Sequence, residues 1–135
     1  MIILDEQLQG LSLETEIARW YRGKVFIVKQ LRLGTIIKDS AIPGLLCQAK
    51  QPTFVTINYT DFWRRVSADE RYCIVCLQLS TSRANEIPSL LRRLFRLPGF
   101  KTKVERMGKV VLLNPQWVRY YQAHEDVIHT IGLPY

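Results

Sequence analysis

Three aspartates stand out for the chemistry they could share: Asp5, Asp39 and Asp61. Asp5 follows at once on the apolar run Ile2-Ile3-Leu4. An acid closing a buried strand is costly unless something answers its charge. Asp39 precedes a stretch whose Ala41, Ile42, Leu45, Leu46 and Ala49 form an apolar side, and Asp61 lies just beyond the run Thr53-Phe54-Val55-Thr56-Ile57. Carboxylates gathered in one place repel each other unless a cation neutralises them. An oxygen-rich site of this kind suits Mg2+ or Mn2+, with water completing the shell. Such a metal can activate water and stabilise charge on a phosphate under attack. Glu6 and Thr56 are secondary candidates; on a strict strand Glu6 faces away from Asp5. Each acid also has a plainer reading: Asp39 as a helix N-cap, Asp61 as a turn former, Asp5 as the partner of an arginine.

These residues converge only if the chain folds to bring them together. Residues 2–4, 24–28, 53–57 and 72–79 read as buried strands, being short and nearly all apolar. Helical stretches fall between them: 13–21, closed by Gly23; 39 to about 50, with Pro43 tolerated in the first turn; and 84–97, stopped by Pro98-Gly99. Residues 58–65 form a polar turn or short helix. Residues 101–106 and 109–113 read as a hairpin turning at Met107-Gly108. Trp117 to Tyr121 is open between helix and strand, and the tail is expected to be helical around residues 125–129. A loop containing Gly34 separates the second strand from the second helix. Alternation of strand and helix predicts an α/β fold: a mostly parallel central sheet, helices on both faces, and a C-terminal hairpin. All three aspartates then lie at the C-terminal edge of the sheet, where open α/β folds bind ligands.

The chain has 135 residues, enough for one domain, with residues 121–135 as a C-terminal tail. Its net charge is +7, from 19 basic and 12 acidic residues, which is compatible with RNA or another polyanion. No apolar run approaches the ~20 residues needed to cross a bilayer. The start turns acidic immediately, unlike a signal peptide, so a cytoplasmic location is expected. Arg64 and Arg65 follow Asp61 and are candidates to hold a substrate backbone. Arg92 and Arg96 share a helix face that reads as ordinary solvated surface. Phe62 reads as core, while Tyr59 and Trp63 lie near the proposed site. Cys73 and Cys76 have C-x-x-C spacing, but on a strand they point to opposite faces, poor geometry for a shared metal. His124 and His129 are five apart and read as surface residues. No glycine-rich phosphate loop or Ser/His/Asp pattern is present.

Several short segments resemble one family. Ile3-Leu4-Asp5-Glu6-Gln7-Leu8 is similar to the L-L-D-E-N-L start of small PIN-like proteins, relatives of PIN-domain toxins. Lys38-Asp39-Ser40-Ala41-Ile42 resembles their D-x-x-I segment, and Val55-Thr56-Ile57-Asn58-Tyr59-Thr60-Asp61-Phe62 their V-T-x-D-x-D-F block. Ile87-Pro88 and residues 108–119 resemble the later helix and closing strands. The likeness spans roughly residues 1–121. It implies a PIN-like fold over the whole chain, metal-dependent endoribonuclease activity, and, in many members, pairing with an antitoxin protein; it leaves room for a homodimer. Asn58 stands where the block usually has its first Asp, with one extra residue before Asp61, and Gln7 replaces Asn. A neutral Asn58 can still ligate a metal or orient water but attracts a cation less. The alternative is therefore a catalytically impaired PIN-like domain that binds nucleic acid or protein.

Overall fold

A computed structural model describes residues 1–31 and 37–134. The expected loop at Gly34 lies outside the described residues. Strands β1 (Ile2–Leu4), β2 (Val25–Ile27), β3 (Thr53–Thr56), β4 (Cys73–Leu77), β5 (Lys109–Leu113), β6 (Trp117–Gln122) and β7 (His129–Gly132) form one mixed sheet in the order β2-β1-β3-β4-β5-β6-β7. Pairings from β2 across to β5 are parallel, and β5-β6 and β6-β7 are antiparallel. Helices α1 (Leu13–Ala18), α2 (Ile42–Leu46), α3 (Tyr59–Phe62), α4 (Ile87–Leu94) and α5 (Lys103–Arg106) connect them. The fold is thus mixed α/β, with an antiparallel margin on one side.

The near-continuous apolar strands bury both faces, as their composition requires. Ile2, Leu4, Val55, Val75 and Val111 pack with Leu13 and Ile17 of α1 and Leu90, Leu91 and Leu94 of α4. On the opposite face Ile3, Phe54, Ile74 and Leu112 pack with Ile42, Leu45 and Leu46 of α2 and Phe62 of α3. Helix α4 forms because Ile87, Leu90, Leu91 and Leu94 recur at helical spacing. Pro88 is tolerated in its first turn. Cys73 and Cys76 join opposite cores, as a three-residue separation on a strand dictates. Both are free thiols with pKa values pushed up by burial, that of Cys73 to about 12.

Three local expectations are corrected. Residues 101–106 are not the first arm of a hairpin: α5 occupies 103–106, and β5 pairs with β6 instead. Thr102-Lys103-Val104-Glu105 has capping-box spacing, and the Thr102 hydroxyl accepts from the Glu105 amide at 3.1 Å. The β5-β6 turn is held by Asn114, whose Oδ1 accepts from the amides of Gln116 and Trp117 at 2.9 and 3.0 Å. The tail is not helical around 125–129; β7 begins at His129 and extends the sheet along β6. The helix expected from Asp39 to about residue 50 is shorter, a 3-10 turn at Asp39–Ala41 followed by α2.

Phe54 is fully buried in β3, its ring centroid 5.4 Å from that of Phe62. Phe54→Ala is expected to cost about 3–5 kcal/mol. A lowered urea midpoint with an unchanged slope would register that loss.

Candidate acidic site at the sheet edge

Parallel pairing sets Leu4 beside Val55, so the next residues, Asp5 and Thr56, leave neighbouring strands side by side. Asp5 is 5% exposed and Thr56 fully buried. The Thr56 hydroxyl donates to Asp5 Oδ2 at 2.6 Å, and the Glu6 amide donates to Asp5 Oδ1 at 2.7 Å. Thr56 Oγ1 in turn accepts from the Asn58 amide at 2.9 Å. Asn58 is the N-cap residue of α3. Its side-chain Nδ2 donates to Asp39 Oδ2 at 2.9 Å and to Asp61 Oδ2 at 2.8 Å. The Thr60 hydroxyl donates to Asn58 Oδ1 at 3.4 Å. One chain of hydrogen bonds therefore runs from buried Asp5 through Thr56 and Asn58 to the exposed pair Asp39 and Asp61.

The plainer readings account for part of this: Asp5 is the N-cap of a 3-10 turn at Glu6–Leu8, its side chain accepting from the Glu6 amide. Asp39 makes no capping bond; Lys38 is the cap residue of its 3-10 turn. Among the described residues none of the three aspartates forms a salt bridge with a cation. Burial raises the pKa of Asp5 above its usual 3.8 despite the two donated bonds, and the field of Asp39 pushes the same way. Burial also raises the pKa of Asp39, and neighbouring Asp61 adds to the rise. The acids therefore sense one another.

Other candidates separate. Asp39, Asp61 and Arg65 line one cleft of about 570 Å³. Arg64 adopts a left-handed backbone at φ 62° and lines a different cavity with Tyr121, Glu125 and Asp126. The structure thus places Arg65, and not Arg64, beside the acids. Glu6 is exposed, and only its backbone amide joins the bonded set. Phe62 is core, as expected, and Trp63 packs on Tyr121 at 5.1 Å. His124 and His129 pair with Glu70 and Glu125. The sequence reading missed the part played by Thr60; its position two residues after Asn58 was the available signal.

The donor set is chemically suited to a hard divalent cation: carboxylate, amide and hydroxyl oxygens, with no sulfur or imidazole. Among the described residues, however, no three His, Cys, Asp or Glu side chains group closely enough to hold a metal ion. The Asn58 NH2, which cannot ligate, stands between Asp39 and Asp61 and offsets part of their repulsion. No protein-family model, curated protein or solved structure matches the chain. No helix among the described residues is long and apolar enough to cross a membrane.

The raised pKa values have a signed consequence. Between the ordinary carboxylate value and the raised folded value, the native state holds more protons than the unfolded one. The contribution of Asp5 and Asp39 to stability is therefore greatest below 3.8 and is lost as pH rises through their folded pKa. In a 13C carboxyl titration both are expected to titrate above the usual range. Asp61→Asn is expected to bring the Asp39 midpoint down; an unmoved midpoint would show that the two do not interact.

Proposed function

We propose that the chain is a PIN-like, metal-dependent endoribonuclease acting through Asp5, Asp39 and Asp61. The observation that carries the reading is the bonded set Asp39–Asn58–Asp61, joined through Thr56 to a buried Asp5. It lies at the ends of adjacent parallel strands, where β2 and β3 flank β1, the switch point at which such sheets take ligands. Mg2+ or Mn2+, when bound, would supply an activated water and charge neutralisation to phosphodiester cleavage. Asp39 and Asp61 would hold the cation, with Asn58 turned to offer Oδ1. Asp5, anchored by Thr56, would supply further negative charge from inside the sheet edge. Arg65, on the same cleft, would position the RNA backbone. The overall +7 charge favours such a substrate. A cytoplasmic location and an antitoxin that covers the acidic edge belong to the same proposal.

A second reading rests on one specific observation, the donation from Asn58 Nδ2 to both carboxylates. An amide that already answers the acids makes the cation less necessary, and the domain then binds RNA or protein without cleaving.

Cleavage of an oligoribonucleotide with Mn2+, beside calorimetric Mn2+ titration, separates the two. The nuclease reading expects Asp5→Asn and Asp61→Asn each to reduce cleavage by roughly 100-fold or more. Asn58→Asp, by adding ligand charge, is expected to tighten Mn2+ binding on the order of tenfold. Cleavage undiminished in the aspartate variants would refute it. RNA retention with neither cleavage nor Mn2+ binding at millimolar metal would select the binding module.

A further inference from the structure

A second cavity, of about 290 Å³, lies beyond the C-terminal ends of α1 and α4. Residues from the end of α1 lead into β2, and those before α5 lead towards β5, so this cavity sits at the edge of the sheet opposite the aspartates. Five cations line it: Arg22, Arg92, Arg96, Lys101 and Arg106. No carboxylate does. Among the described residues, none of the five forms a salt bridge. Glu105, the acid whose field reaches Lys101 and Arg106, is engaged with the Thr102 hydroxyl and the Gly99 amide.

Cations near helix C-termini ordinarily answer the helix dipole, which carries about half a negative charge per helix. Two such ends cannot balance five full charges. The remaining walls are aromatic. Trp20 meets Phe95 edge-on at 5.7 Å and Tyr21 at 6.1 Å. Trp20 is only partly buried, so it keeps open indole surface.

Arg106 makes the arrangement more than a solvated basic face. It is 4% exposed and lies 3.9 Å over the Phe95 ring. Its Nη1 donates to the carbonyls of Phe100 and Lys101 at 2.9 and 3.3 Å. Its Nε is buried without a hydrogen-bond partner among the described residues. The carbonyls and the ring face meet part of its donor capacity but leave its positive charge without a salt-bridge partner among the described residues, which favours an anion in the cavity.

We propose that this cavity binds a nucleotide phosphomonoester, the phosphate among the arginines and the base against Trp20. A dianionic phosphate matches the density of positive charge, and guanidinium is the group best shaped to receive it. The cavity is open to solvent, so the phosphate sits among the arginine heads while the base lies at the rim. Base stacking on indole is tolerant of sequence. The site is independent of the aspartates and stands whether or not they cleave RNA. Its ligand is a free nucleoside 5′-monophosphate or the 5′-phosphorylated end of an RNA strand.

Calorimetry on the full chain tests it with AMP, inorganic phosphate, and one oligoribonucleotide with and without a 5′-phosphate. AMP is expected to bind saturably. The double variant Arg92→Gln, Arg96→Gln, at exposed positions in α4 and the turn after it, is expected to weaken AMP roughly tenfold or more, with its thermal melt confirming the fold. Trp20→Ala is expected to weaken AMP while sparing inorganic phosphate. Preference for the 5′-phosphorylated oligonucleotide over AMP would identify an RNA end; equal binding would identify the free nucleotide. The proposal is overturned if AMP shows no saturable binding at millimolar concentration, or if the arginine variant binds it as the parent does. It also fails if AMP binding is lost in Asp61→Asn, or if the oligonucleotide binds equally with and without its phosphate while AMP does not bind.

Discussion

The parallel register between β1 and β3 is the constraint on which the rest depends. With Ile2 beside Thr53 and Leu4 beside Val55, Asp5 and Thr56 emerge next to each other and form a 2.6 Å hydrogen bond. A slip of one residue would exchange the two faces of the strand. Ile3 and Phe54 would then trade cores with their neighbours, and the aspartate would lose its donor. Two fully apolar faces, each covered by helices, forbid that slip. The hydrophobic core therefore sets the position of the polar site, and Thr56 relays that position outward to Asn58.

Much of this architecture is legible in the residues. Four apolar runs locate β1 to β4, because strands buried on both faces admit little else. The helical spacing of Ile87, Leu90, Leu91 and Leu94 likewise marks α4. The C-terminal third is read less well for a local reason. Val104 lies among Lys101, Lys103 and Arg106, a polar–apolar mixture that suits a strand as well as a helix. Only the Thr102–Glu105 cap decides between them. At the other end, Glu125 and His129 have helical spacing and do pair, but across an extended approach to β7. Cross-strand pairing with β6 outweighs local propensity there.

The acidic site divides in the same way. That Asp5 is joined through Thr56 to Asn58 follows from topology, since the ends of adjacent parallel strands share an edge. That Asp39 belongs with them depends on a side-chain amide 19 residues further along the chain. No spacing rule reveals which way that amide faces. The divergence of Arg64 from Arg65 is equally hidden, because it arises from the left-handed backbone at Arg64, which turns consecutive side chains to separate cavities. The basic cavity is hidden for another reason: its arginines come from segments that look like ordinary solvated surface until the helices pack.

The cysteines carry a practical corollary. Cys73 and Cys76 lie in different cores, and burial holds their thiols protonated at neutral pH. Since thiolate is the reactive form, neither is open to alkylating reagents while the sheet is intact. Cys47, half-buried at the end of α2, is left as the sole handle. A maleimide fluorophore or spin label would attach there without engineering, and the later uptake of label by the other two would serve as a clock for global opening.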